Sequence, residues 1–127
     1  MAVNPLAIII EDDRKLATIF AEALKTVDFE IEIVQDGQAA MARLSHISPA
    51  VVVLDLHLPN VSGPHILRHI RSEPRLAKTR VMIVTADAAL AESLEDEADL
   101  VLLKPTSFAQ LRDLAARLRP PDTTDLD

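Results

Sequence analysis

Apolar residues in this chain fall into short solid runs, each separated from the next by a stretch with helical spacing. Leu6 to Ile10 is a compact apolar run rich in isoleucine, the pattern of a strand buried on both faces. From Arg14 to Lys25, residues Leu16, Ile19, Phe20, Ala23 and Leu24 recur at the spacing of one inner helical stripe. Phe29 to Ile33 alternates apolar and acidic residues, which predicts a half-exposed strand at a sheet edge. Asp36-Gly37 then turns the chain into a helix running to about Leu44. Ala50 to Leu54 predicts a third strand, again buried on both faces. Pro64 marks the start of a helix with Ile66, Leu67 and Ile70 inward. The fourth strand ends at Val84, a short alanine-rich helix covers Ala88 to Leu94, and the fifth strand is Leu100 to Leu103. Phe108, Leu111, Leu114, Ala115 and Leu118 mark a closing helix. Five strand–helix units in succession predict an α/β fold, a parallel sheet with helices on both faces and right-handed crossovers. Arg119-Pro120-Pro121 stops the last helix, so residues 1–120 read as one domain and 121–127 as a loose polar tail or the start of a linker.

Four of these runs stop on a polar residue of chemical interest. The first stops at Glu11-Asp12-Asp13, the third at Asp55, the fourth at Thr85 and the fifth at Lys104. Parallel strands end on one common edge, and open α/β sheets bind ligands outside that edge. Two carboxylates about 5 Å apart repel by roughly 3 kcal/mol at an effective dielectric near 20. Glu11, Asp12 and Asp55 gathered there would therefore take up protons or bind a cation. A hard divalent ion such as Mg²⁺ suits a set of oxygen ligands.

Composition narrows the choices. The sequence has 127 residues, 49% of them apolar, enough for one ordinary domain with a closed core. No apolar run is long enough to cross a bilayer, and the N-terminus lacks the pattern of an export signal. The absence of cysteine rules out disulfides and thiolate metal sites and suits the cytoplasm. A net charge of −7, with no Tyr or Trp, argues against nucleic-acid binding by this domain.

The ordered set of acidic pair, Asp55-Leu56-His57-Leu58-Pro59, Gly63, Thr85 and Lys104-Pro105 resembles the receiver domain of two-component response regulators, over about residues 5 to 119. The resemblance implies a flavodoxin-like sheet with strand order 2-1-3-4-5. It implies Asp55 as phosphoacceptor, with a histidine kinase or phosphotransfer protein as donor and Mg²⁺ as cofactor. Asp12, Asp55 and the backbone carbonyl of His57 would be direct metal ligands, and Glu11 would act through water. Thr85 and Lys104 would each engage a phosphoryl oxygen, and the pull on Thr85 would be the switch that alters partner binding. Such a domain is no enzyme in the usual sense, promoting only its own phosphoryl transfer and loss. The Lys104-Pro105 peptide is expected to be cis. Asp13 falls outside the acidic pair and is expected to cap the first helix. His57 and Asp87 occupy places that tune phosphate loss in this family, and we expect them to pair above the site.

Two departures bear on output. Where many receivers carry an aromatic residue three places before the lysine, this chain has Val101, and the span from Thr85 to Lys104 is shorter than usual by about one helical turn. From Asp87 to Asp99 inclusive there are six acids and no base, the mark of a solvated face or of a surface that prefers a basic partner. Two other functions compete. A haloacid-dehalogenase-like phosphatase would need a second acid where this chain has His57. A pseudo-receiver would bind partners without phosphorylation, and the missing aromatic and short fourth helix are what favour it.

Overall fold

The computed structural model describes residues 3–121, so residues 122–127 of the expected tail lie outside the described residues. Five strands alternate with five helices: β1 (Leu6–Ile10), α1 (Arg14–Lys25), β2 (Glu30–Val34), α2 (Gly37–Leu44), β3 (Val51–Leu54), α3 (Gly63–Ser72), β4 (Arg80–Thr85), α4 (Ala88–Leu94), β5 (Leu100–Leu103) and α5 (Phe108–Leu118), with a short 3₁₀ turn at Pro74–Leu76. All strand pairings are parallel and the order is β2-β1-β3-β4-β5, the flavodoxin-like arrangement expected from the sequence. The order puts β1 and β3 side by side in the middle, so the residues that follow them emerge next to one another.

Alternate residues of the central strands feed two separate cores. Ala7, Ile9, Val51, Val53, Met82 and Val84 pack under α1 and α5. Ile8, Ile10, Val52, Leu54, Val81 and Ile83 pack under α2, α3 and α4. Each fully buried aliphatic side chain adds about 1.5–3 kcal/mol relative to its exposed state, which explains why the runs are solid rather than alternating. The helices start on side chains that satisfy their free amides: Asp13, Asp36, Ser62, Asp87 and Ser107 each accept from a first-turn N–H of the helix that follows.

Three side chains depart from the sequence expectation. Ile33 of the edge strand, Ile19 of α1 and Phe108 of α5 remain 42%, 46% and 39% exposed. Each satisfies the period of its element yet stays partly uncovered, so spacing alone did not set its burial. The fourth helix is short, as expected, at seven residues.

Candidate functional site

Glu11, Asp55 and Lys104 each sit one step past a strand end, Thr85 closes its own strand, and main-chain hydrogen bonds hold them there. The Glu11 N–H donates to the Val34 carbonyl at 3.1 Å, and the Asp55 N–H to the Ile10 carbonyl at 3.0 Å. The Lys104 N–H donates to the Thr85 carbonyl at 2.8 Å. The ladders thus continue into the site and give it the rigidity of the sheet.

Carboxylate oxygens of Glu11, Asp12 and Asp55 lie within 4.8 Å of one another. Glu11 and Asp55 are buried, at 1% and 7% exposure, whereas Asp12 faces solvent. Lys104 reaches over from β5 and donates its ammonium to Glu11 Oε1 at 2.6 Å and to Asp55 Oδ2 at 3.5 Å. The sequence pointed to this lysine but not to Glu11 as its nearest partner. Burial pushes the Glu11 carboxyl up from 4.5 to about 7; Lys104 and the Asp13 N–H pull it down, and the Asp55 charge pushes it further up. For Lys104, burial lowers the pKa, but hydrogen bonding and attraction from the two carboxylates more than offset it, so it stays above the ordinary lysine range. Three carboxylates facing one ammonium leave an excess of negative charge and oxygen-only donors, which fits a hard divalent cation.

The loop after Asp55 is shaped for close approach. A Cβ added to Gly63 would lie 2.4 Å from the Asp55 carbonyl oxygen and 2.5 Å from Leu56 Cα, so only glycine lets α3 start there. Asn60 supplies a left-handed turn at φ 73°, which the Pro59-Asn60 pair signals in the sequence. The His57 N–H donates to Asp55 Oδ1 at 3.4 Å.

Thr85 is fully buried as the last residue of β4, and its hydroxyl oxygen accepts the Asp87 N–H at 3.1 Å. The same geometry ties Thr85 to the start of α4. His57 Nε2 and Asp87 Oδ2 are 2.8 Å apart, the contact expected from their places in the sequence. Asp87 lies below its ordinary carboxylate value, first through the Leu90 N–H and then through His57. The Lys104-Pro105 peptide is cis, and Asp13 accepts from the Lys15 and Leu16 N–H groups as the α1 cap. The acidic run is not uniformly solvated: Asp87 and Asp99 are paired at its two ends, while Glu92, Glu95 and Asp96 face solvent.

The response regulator receiver domain family matches residues 7–116. The transcriptional regulatory protein TrcR of Mycobacterium tuberculosis is 33% identical over 120 residues, covering 91% of this chain and 45% of TrcR. The chain thus spans about half the length of the curated relatives it matches. A CheY-like receiver domain from Methylobacillus flagellatus superposes with a TM-score of 0.81 at 26% identity, covering 91% of this chain and 99% of that one. The Mn²⁺-bound form of response regulator Rcp1 superposes with a TM-score of 0.78 at 25% identity, covering 88% and 92%. No helix among the described residues is long and apolar enough to cross a membrane. Sheet order, acidic pocket and family match agree, and this chain belongs to the response regulator receiver domains of two-component systems.

Proposed function

We propose that Asp55 is the phosphoacceptor, taking a phosphoryl group from a phosphohistidine of a histidine kinase or phosphotransfer protein. A carboxylate oxygen of Asp55 forms the new O–P bond as the P–N bond of the donor breaks. The imidazole leaves with that electron pair and takes up a proton. Glu11, Asp12, Asp55 and the His57 carbonyl would hold Mg²⁺, whose contribution is to neutralise oxygen charge during transfer. That Rcp1 is described in a Mn²⁺-bound form supports a divalent ion in this fold.

The observation that carries this reading is the bridging of Glu11 and Asp55 by Lys104 beside Asp12. A lysine in that place is poised to leave Glu11 for an incoming phosphoryl oxygen, as a point charge with three rotatable donors. Thr85 accepts one hydrogen bond in this structure and keeps its own proton to donate. Donation to a phosphoryl oxygen would draw Thr85 and the start of α4 inward together, which changes the surface offered to an output partner. With Val101 in place of an aromatic residue, α4 itself carries that signal. A complete charged set at one rim favours this function over a pseudo-receiver, which would need none of it.

The test is incubation with Mg²⁺ and acetyl phosphate, followed by intact-mass measurement. The protein should gain one phosphoryl group, Asp55→Asn should gain none, and neither should turn over general phosphate esters. Uptake by Asp55→Asn equal to that of the native protein would refute the assignment.

A further inference from the structure

At the opposite pole of the sheet, where the strands begin, six cationic side chains surround one open groove of about 1030 Å³. Arg71 and Arg75 come from the end of α3 and the turn after it, Lys78 and Arg80 from the approach to β4, and Arg117 and Arg119 from the end of α5. Among the described residues the one acid in the lining is Asp99. In a chain of net charge −7 this is a concentrated reversal of sign.

Three of these cations, Arg75, Lys78 and Arg117, have no acidic partner among the described residues. Arg71 donates to the carbonyls of Glu97 at 2.7 Å and Thr79 at 2.9 Å, and Arg75 to the carbonyls of Ile47 at 2.6 Å and of Leu44. A carbonyl fixes a guanidinium but leaves its full charge in place. Among the described residues Asp99 is shared between Arg71 and Arg80. Lys78 and Arg117 are exposed and make no hydrogen bond or ion pair among the described residues. Arg71 and Arg75 set a fixed positive wall, and the unpaired Lys78 and Arg117 beside it have no partner to give up when an anion arrives.

The groove also has an apolar side, formed by Leu6, Pro49, Leu118 and Pro121. A free phosphate would use the cations and leave that surface bare. A nucleotide would want an aromatic platform for its base, and none lines the groove. Duplex DNA or an anionic membrane would also meet the acidic remainder of the molecule, which repels them. We propose that this pole docks an extended acidic peptide of a partner protein, with an apolar residue against Leu6, Pro49 and Leu118 and flanking carboxylates on Lys78, Arg80 and Arg117. The site lies at the far end of the strands from Asp55 and does not depend on the phosphorylation chemistry.

Fluorescence anisotropy with a labelled peptide of alternating aspartate and leucine tests this on the intact chain. Saturable binding that weakens with added salt is expected, with none for the peptide carrying asparagine in place of aspartate. The double variant Lys78→Glu, Arg117→Glu should weaken binding by about tenfold or more, and the neutral pair Lys78→Gln, Arg117→Gln by less. Both variants should keep the native circular dichroism and phosphoryl uptake. Equal binding by the charge-reversed variant or by the asparagine peptide would overturn the proposal. So would full displacement of the peptide by millimolar inorganic phosphate, or tighter binding of duplex DNA or phosphatidylserine vesicles.

Discussion

Replacing Lys104 by methionine keeps the length of the aliphatic stem and removes the one ammonium between two buried carboxylates. At an effective dielectric near 20 the gross attractions, at 2.6 Å to Glu11 and 3.5 Å to Asp55, are about 6 and 5 kcal/mol. The net loss is much smaller because Glu11 can escape by taking up a proton. Its folded pKa of about 7 lies above the ordinary 4.5, so its burial costs nothing below 4.5 and costs progressively more as pH rises through about 7. In the native protein that cost levels off above pH 7, where Glu11 ionises against Lys104. Without Lys104 the Glu11 pKa lies higher still, so the cost goes on growing above pH 7, by at most about 1.4 kcal/mol per pH unit. The Glu11 share of the loss is therefore small at pH 7 and grows above it by at most about 1.4 kcal/mol per pH unit. Asp55 is also buried, and losing its 3.5 Å contact adds about 1–3 kcal/mol. Urea unfolding by far-ultraviolet circular dichroism measures this directly, the chain having no Trp or Tyr to report by fluorescence. The expected destabilisation is about 1–3 kcal/mol at pH 7 and larger, by up to about 3 kcal/mol, at pH 9, and Mg²⁺ should narrow it by restoring positive charge. A loss that is constant from pH 6 to pH 9, or that Mg²⁺ enlarges, would refute the reasoning.

Three further outcomes follow from the same geometry. His57→Ala should shorten the lifetime of the phosphorylated protein if, as we propose, its 2.8 Å contact to Asp87 shields the site from water; an unchanged half-life after removal of acetyl phosphate removes the role. Gly63→Ala places a methyl group 2.4 Å from the Asp55 carbonyl oxygen, so we expect about 2–3 kcal/mol of destabilisation and slower phosphoryl uptake, and native values for both would contradict the close approach. Asp99→Asn should cost about 1–2 kcal/mol at neutral pH. Burial raises the pKa of Asp99, but the Val81 N–H, Arg80 and Arg71 more than offset this and hold it below its ordinary 3.8. The stability it adds is therefore present above 3.8 and lost as pH falls through the lower folded value, so native and variant unfolding curves should converge in acid.

Local sequence alone determined much of this protein. Solid isoleucine and valine runs can be satisfied only by burial on both faces, so the parallel sheet was legible, and the polar residue ending each run marked the common edge. Caps such as Asp13 were equally local, because an acceptor oxygen a few residues from a free N–H is a matter of short-range geometry. What only the tertiary structure decided is where distant groups meet and what covers them. Glu11 and Lys104 are 93 residues apart, and no pattern along the chain says that the lysine rests on Glu11 more closely than on Asp55. Ile33 and Phe108 follow the right period, yet stay partly uncovered. The net charge of −7 gave no sign of the basic pole, because a sum over the chain carries no information about which cations the fold gathers at the strand beginnings. Periodicity is a property of neighbours along the backbone, whereas charge convergence and coverage belong to neighbours in space.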